Sequence, residues 1–387
     1  MPEQNLLNVV AGFRDAWRDK EALERSGTDF HEIKGEVAST VVQLHPKRLE
    51  LEVAEVIDET ASTRTLRLVA ADRSLLPPFQ AGQYINLFVE IDGVATARPY
   101  AISSSPSQRV YYDLTVKRAQ GGFVSNYLLD RVAAGQRFLS SGPMGTFHHN
   151  PLYHGDDLVF LAGGSGGAPA RSILLDILDR GLPHRFHLMY VNSYVDDVIF
   201  DDEFRELANR HENFTLSEVI SRPPTGYWGY TGRLTEELLQ RLLGDIGNKM
   251  FYICGPTPFN DNCVELLTRL GVKRRRIRLE ANGAPKAPNE QTGWPEGVSL
   301  DDEVTVTVRG RGSFRSRVGE PLLNALERNG YGTENACRSG ECSLCRVKLV
   351  SGAVFNPQEA HLRKSDRDFG WIYSCVAFPT GDIEIQL

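Results

Sequence analysis

Four of the six cysteines fall in one pattern near the C-terminal end of the 387-residue chain, and that pattern limits the fold more than any other feature. Cys337, Cys342 and Cys345 read C-x4-C-x2-C, and Cys375 follows after 29 intervening residues. This is the spacing of a plant-type [2Fe–2S] centre, whose iron–sulfide core takes four thiolates. Three must come from one tight loop whose backbone N–H groups can approach the sulfides, and Ser339, Gly340 and Ser343 keep that loop small. A zinc site would set a second C-x2-C or an H-x3–5-H against the first, and that second pair is missing. The expected metal ligands are therefore Cys337, Cys342, Cys345 and Cys375, carrying one electron at a time at roughly −400 mV.

The flanks fit such a centre. DEVTVTVRG and GSFRSRV alternate apolar and polar residues like a hairpin, and PLLNALERNG reads as an amphipathic helix with a glycine stop. CRVKLVSGAV and DIEIQL supply later strands. Residues 302–387 resemble a plant-type ferredoxin domain, an α+β module of β-grasp form, along their whole length. Basic and acidic residues nearly balance there, which suits a module served by its own chain better than a free acidic ferredoxin.

Length and charge exclude several classes. At about 100–200 residues per domain the chain holds two or three domains. Forty-three basic against 50 acidic residues give a net charge of −7, so a phosphate-backbone partner has little support. No stretch approaches the ~18 apolar residues of a membrane span, and the N-terminus lacks the pattern of a signal peptide. A cytoplasmic protein is expected.

Upstream, LVFLA runs into Gly163-Gly164-Ser165-Gly166-Gly167, then Ala168-Pro169 and the helical stretch ARSILLDILDRG. A strand, a glycine turn and a helix start make an anion site, because unpaired N–H groups and the helix dipole face the ligand. RFHLMYVNS, FTLSEVIS and NKMFYICGP read as further strands alternating with helices, the pattern of a parallel, helix-covered sheet. The turn Cys254-Gly255-Pro256 should open onto the same crevice as the Gly163 turn, at the carboxyl ends of the strands. Residues from 47 to about 150 read as short strands without helices, an antiparallel barrel, until GGFVSNYLLDRV gives a helix opened by Ser125.

Arg98-Pro99-Tyr100-Ala101-Ile102-Ser103, Gly122-Phe123-Val124-Ser125, the Gly163–Pro169 turn and Cys254-Gly255-Pro256 occur in the order and at the intervals of the ferredoxin–NADP reductase family. With the C-terminal cluster domain, residues 47–387 resemble the single-chain reductases of oxygenase systems. The resemblance implies a multidomain fold: a helical extension (1–46), a flavin-binding antiparallel β-barrel (47–153), an NAD-binding α/β domain (154–282), a linker (283–301) and the [2Fe–2S] domain (302–387). It implies that Arg98 holds a flavin phosphate and that Tyr100 lies against the flavin ring, with Pro99, Ala101, Ile102, Ser103, Val116 and Lys117 lining the same site. Gly121, Gly122, Phe123, Val124 and Ser125 would approach the pyrophosphate. Gly163, Gly164, Ser165, Gly166, Gly167, Pro169, Asn192, Gly255 and Pro256 would shape the nucleotide site, with Cys254 close to the path of the hydride. Glu280 aligns with an acidic residue of the family and is the candidate for assisting protonation.

Ala101 departs from the family pattern, which places a serine hydroxyl near flavin N5. Ser103 is not expected simply to take its place. The stretch Tyr190–Asp197 has no Arg or Lys and ends in two carboxylates, so NADH is expected rather than NADPH. FAD is the expected flavin, with FMN the alternative. The implied chemistry is a step-down: hydride from NADH to flavin, single electrons to the cluster, then to a protein acceptor, a Rieske or di-iron oxygenase component. The alternative is an electron-transfer subunit of a larger redox complex, docked through residues 1–46, where Leu6, Val9, Val10, Phe13 and Trp17 form an apolar stripe. That stripe is expected to pack on the chain's own barrel or on a partner. His148, His149 and His154 read as loop and surface residues, Lys273–Arg276 as a solvated basic patch, and Cys263 as a packing residue.

Overall fold

The computed structural model describes residues 12–25, 30–280, 283–357 and 360–387, with the side chains of 30–36 left aside. The chain divides into a small unit, Met1–Lys47, and a large one, Arg48–Leu387. The small unit holds α1 (Phe13–Arg25) and α2 (Phe30–Leu44). Phe13 and Trp17, one turn apart, bring their ring centroids to 5.8 Å, and ion pairs Asp15–Arg18, Lys20–Glu24 and Glu21–Arg25 lace α1. No side chain of α1 is buried, and Val37, Val41 and Val42 of α2 are exposed. Of the apolar stripe, Leu6, Val9 and Val10 lie outside the described residues, and Phe13 and Trp17 pack on each other.

The large unit opens with a six-stranded antiparallel sheet: β1 (Leu49–Thr60), β2 (Thr63–Ala70), β3 (Tyr84–Ile91), β4 (Val94–Ala101), β5 (Tyr112–Lys117) and β6 (Arg137–Ser140), in the order β4-β3-β6-β1-β2-β5. A bridge between Ile102 and Leu114 ties the two ends of that order together and curls the sheet into a barrel. Alternate residues such as Leu66, Leu68, Ile85, Leu87 and Leu114 fill its interior. Helix α3 (Phe123–Asp130) begins two residues ahead of Ser125, on Gly122. A Cβ at Gly122 would lie 2.2 Å from the Ser125 hydroxyl, which turns back to accept the Ala119 N–H at 3.4 Å.

The second sheet is parallel: β7 (Asp157–Gly163), β8 (Arg185–Asn192), β9 (Phe214–Ile220), β10 (Tyr230–Thr231), β11 (Met250–Cys254) and β12 (Ile277–Glu280), in the order β10-β9-β8-β7-β11-β12. Its helices are α4 (Gly167–Asp179), α5 (Asp201–Arg210), α6 (Glu236–Leu243) and α7 (Thr257–Arg269). Both faces are buried. Leu158, Phe160 and Ala162 of β7 join one core, whereas Val159 and Leu161 join the other with Phe251, Ile253 and Cys263. The chain runs outward from β7 through β10 and returns to β11 on the far side of β7. Ligands bind at such a reversal.

The third sheet comprises β13 (Glu303–Val308), β14 (Gly312–Arg317), β15 (Arg346–Ser351), β17 (Trp371–Tyr373) and β19 (Ile383–Gln386), in the order β14-β13-β19-β15-β17, with α8 (Leu322–Arg328) packed on it. A small pair, β16 (Val354–Phe355) and β18 (Phe378–Pro379), and a short α9 (Lys364–Asp368) complete the domain. The Pro/Gly-rich stretch before β13 is anchored at its centre: Trp294 packs edge-on against Phe355 at 5.1 Å. Its indole is the large apolar group of that stretch and buries itself on the nearest core. His149 also differs from expectation. It is 3% exposed, with its ring 5.0 Å from His184, because the segment after β6 carries Phe147 into the core against Phe160 and Tyr252. Among the described residues, no helix is long and apolar enough to cross a membrane.

Candidate functional site

The turns after β7 and β11 touch, and glycine makes that contact achievable. A Cβ on Gly166 would lie 1.9 Å from the Cys254 carbonyl oxygen, one on Gly167 2.4 Å from the Tyr190 hydroxyl, and one on Gly255 2.5 Å from the Phe259 ring. Gly164 has φ +54°, and its carbonyl accepts the Tyr190 hydroxyl at 2.8 Å. No side chain caps α4; its first residue, Gly167, donates its N–H back to the Gly164 carbonyl, and Pro169, with no N–H to offer, lies inside the first turn. Asn192, ending β8, is 4% exposed, and neither atom of its amide has a partner among the described residues. A buried, unpaired amide at the mouth of a glycine crevice suits a polar ligand such as a dinucleotide.

The barrel supplies the second part. Tyr100 packs on the barrel core and burial pushes its phenol up. Arg98 Nη1 donates to Thr96 Oγ1 at 2.6 Å and to the Ala97 carbonyl at 2.8 Å. Burial, together with the like charge of Arg338, pushes the Arg98 guanidinium down to about 10. Ala101 presents only a methyl group. The Ser103 hydroxyl lies inside the barrel, 3.1 Å from the Asp113 carbonyl and 2.8 Å from Thr115 Oγ1, so it does not replace the missing one. Ile102, Val116 and Val124 are buried core residues, which leaves them only backbone to offer. The Gly121–Gly122 turn brings the uncapped start of α3 and the half-exposed Phe123 alongside.

Lys117, beside them, is paired with Asp197 at 2.8 Å, and Asp197 also accepts from the Thr60 and Ser62 hydroxyls at 2.7 Å. The two carboxylates after β8 therefore do not act together. Asp197 is turned into the barrel and its charge balanced, while Arg222 donates to the Tyr194 hydroxyl at 2.9 Å nearby.

The cysteine loop supplies the third part. Three of its residues, Arg338 (φ +55°), Gly340 (+82°) and Ser343 (+59°), adopt left-handed backbone, which curls the loop tightly. The Cys337 sulfur accepts the N–H groups of Ser339 and Cys342, both at 3.4 Å. Cys345 precedes β15 and Cys375 follows β17, held by Ser374, whose N–H and hydroxyl donate to the Cys345 carbonyl at 3.1 and 2.8 Å. The thiols face one another as Cys337 with Cys342 and Cys345 with Cys375. Hydrogen bonding from Cys342 pulls Cys337 down to about 4, and Cys375 lowers Cys345 likewise. Two pairs of cysteines suit the two irons of a [2Fe–2S] core. Among the described residues, no three His, Cys, Asp or Glu side chains surround a single ion.

The three parts meet. Cys254 and Glu280 are register partners on β11 and β12. Burial pushes the Glu280 carboxyl up to about 8, with Glu341 and Cys337 of the cysteine loop adding to it. Tyr84, at the start of β3, is pushed up by burial and then by Cys337 and Cys342. Further along the same ladder, Thr96 on β4 bonds both Glu327 of α8 and Arg338. Thr96, Glu327 and Arg338 were not among the residues expected from the sequence. A signal existed for Glu327 alone, which stands beside Leu322, Leu323 and Leu326, buried residues of its helix.

Known proteins match in the same order along the chain. Residues 49–149 match the oxidoreductase FAD-binding domain, 160–265 the oxidoreductase NAD-binding domain, and 306–380 the 2Fe-2S iron-sulfur cluster binding domain. The glycine betaine monooxygenase reductase subunit of Pseudomonas aeruginosa is 32% identical over 345 residues, covering 86% of this chain and 93% of that protein. The ferredoxin reductase component of 3-ketosteroid-9-alpha-monooxygenase from Mycolicibacterium smegmatis is 32% identical over 355 residues, covering 86% and 95%. Phthalate dioxygenase reductase shares the fold, with a TM-score of 0.66 at 21% identity over 88% of this chain and 98% of that one. An FAD-binding barrel, an NAD-binding sheet and a [2Fe–2S] domain on one chain define an NAD(P)H-dependent flavin and iron–sulfur oxidoreductase. The chain belongs to the ferredoxin–NADP reductase family, among the single-chain reductases with a C-terminal [2Fe–2S] domain.

Proposed function

We propose that this reductase draws electrons from NADH and delivers them to the oxygenase component of a multicomponent oxygenase, of Rieske or di-iron type. Relatives about a third identical to it are reductase components of glycine betaine and 3-ketosteroid monooxygenases, which supports the reading. The flavin supplies hydride acceptance and the cluster single-electron carriage, chemistry that belongs to the bound groups. The chain's own residues bind and orient. Arg98 offers a planar donor fork to a flavin phosphate, Tyr100 a wall for the ring, and the start of α3 its unpaired N–H groups. The Gly163–Gly167 turn, Asn192 and Cys254-Gly255-Pro256 seat the nucleotide, so that donor and acceptor are held in near-attack geometry. Glu280 is placed to hold a proton beside Cys254. Cys337, Cys342, Cys345 and Cys375 hold the cluster.

The observation that carries this reading is the bond from Arg338 in the cysteine loop to Thr96, two residues from Arg98, at 3.1 Å. With the cysteine loop bonded to β4, the strand we assign to the flavin, transfer from flavin to cluster within one chain is supported. The purified protein should show flavin bands and a broad cluster absorption that bleach together on anaerobic addition of NADH. Mixing the reduced protein with a purified Rieske or di-iron component should restore them. A colourless protein containing zinc would refute the proposal.

A further inference from the structure

The contact between the barrel and the cluster domain is ionic and out of balance. Thr96, Glu327 and Arg338 are each less than a tenth exposed. The Thr96 hydroxyl donates to Glu327 Oε2 at 2.9 Å and accepts from Arg98 Nη1 at 2.6 Å and Arg338 Nη2 at 3.1 Å, which saturates it. Glu327 Oε1 pairs with Arg338, and Arg98 Nη1 stands 3.9 Å from Glu327 Oε2. Arg338 Nη1 donates to Asn324 Oδ1 at 3.0 Å, while its Nε has no partner among the described residues. Two guanidiniums thus share one carboxylate, leaving one positive charge in a place where unpaired charge is unfavourable. That charge falls at Arg98, on the strand assigned to the flavin.

From this juxtaposition we infer that flavin retention and docking of the cluster domain are one coupled equilibrium, in which Glu327 and a flavin phosphate share Arg98 and Arg338 sets the division. The inference rests on the reading of Arg98 as the phosphate residue. While Arg338 occupies Glu327, Arg98 is left for the phosphate. Without Arg338, Glu327 closes on Arg98 and withholds it. Without the Glu327 charge, both guanidiniums face the phosphate. Removing either partner loosens the seam, yet the two changes move flavin affinity in opposite directions. By linkage, whatever factor docking of the cluster domain imposes on flavin affinity, the flavin imposes on docking.

The test uses the full-length holoprotein, with FAD dissociation read from the fluorescence of FAD released on serial dilution. Arg338→Met should raise the dissociation constant by about 5- to 150-fold, the usual span of such couplings, and Arg338→Lys should restore it. Glu327→Gln should leave FAD held as tightly or more tightly. Both Arg338→Met and Glu327→Gln should slow cluster bleaching after mixing with NADH while flavin bleaching keeps its rate. Equal weakening of FAD by Glu327→Gln and Arg338→Met would overturn the inference, since a merely structural contact behaves that way. If Arg338→Met fails to load its cluster, Glu327→Gln decides alone, and weaker FAD binding there overturns the inference. An Arg98→Met variant separates the two readings. Unchanged FAD affinity in Arg98→Met sinks the phosphate assignment, whereas weakened affinity there with none in Arg338→Met sinks only the coupling.

Discussion

The nucleotide crevice and the seam between barrel and cluster domain solve one problem, holding reactive groups together, by opposite means. The crevice is made of backbone: Gly163 to Gly167 meets Cys254-Gly255-Pro256 so closely that a single methyl group would not fit. The seam is made of side chains contributed by β4, α8 and the cysteine loop, 231 and 242 residues apart in sequence at its two bonds to Thr96. A backbone site tolerates almost no change in residue size. A side-chain site tolerates changes in size better than changes in charge.

The sharpest way to break this comparison lies outside both regions. Cys375→Ser removes one of four expected ligands, so the cluster absorption and its electron paramagnetic resonance signal should vanish. NADH-driven ferricyanide reduction, which needs only the flavin, should remain. Loss of both activities would mean that the cluster loop also holds the flavin site in shape. Next in size, Gly166→Val drives a side chain into a carbonyl 1.9 Å from its Cβ. Misplacement of about 1 Å in a reacting pair costs about 100-fold, so flavin bleaching by NADH should slow at least that much while FAD stays bound. A normal rate would show that the two turns separate without consequence.

These contrasts explain what could be read in advance. The crevice was legible because strand, glycines and helix start are contiguous, and each carries its own local signal. The cluster spacing was legible for the same reason. The seam was not, because Thr96, Glu327 and Arg338 are ordinary residues until the fold brings them together. Asp197 was misread for a related reason. Position after β8 suggested repulsion of a phosphate, but its direction is set by Thr60, Ser62 and Lys117, which a reading along the chain does not see. His149 was misread as surface because composition alone does not reveal that the segment after β6 folds inward.

His149 offers a smaller effect with a definite sign. Burial, with His184 and His154 adding like charge, pushes it down to about 3. An ordinary histidine near 6.5 in the unfolded chain binds its proton first as the pH falls, so this residue's contribution to stability is full above about pH 6.5 and declines towards pH 3. At pH 5 the loss is about 2 kcal/mol. Glu218 and Glu280, both raised to about 8, act in the opposite sense over part of that range. The measurement is therefore a difference: thermal melts of the wild type and His149→Phe at pH 7 and pH 5. The variant should gain on the wild type by about 2 kcal/mol at the lower pH. A constant gap would mean that His149 is already charged in the folded protein.

The smallest effect comes from Asp197→Asn, where crevice and barrel meet. Asparagine is nearly isosteric and its carbonyl oxygen still accepts from the Thr60 and Ser62 hydroxyls, so what is lost is mainly the charge opposite Lys117. That pair is partly exposed, and such pairs contribute at most about 1 kcal/mol. The melting temperature should fall by little. The released ammonium lies 4.0 Å from where a Cβ on Gly164 would sit, beside the uncapped start of α4. Unpaired, it adds a positive charge to the crevice proposed to receive the nucleotide's phosphates, and the added charge favours the more anionic nucleotide. NADPH should therefore gain on NADH in kcat/KM, within about fivefold, the factor that 1 kcal/mol permits. If NADH and NADPH improve equally, Lys117 faces the shared pyrophosphate; if neither changes, the Lys117–Asp197 pair serves only to join barrel and sheet.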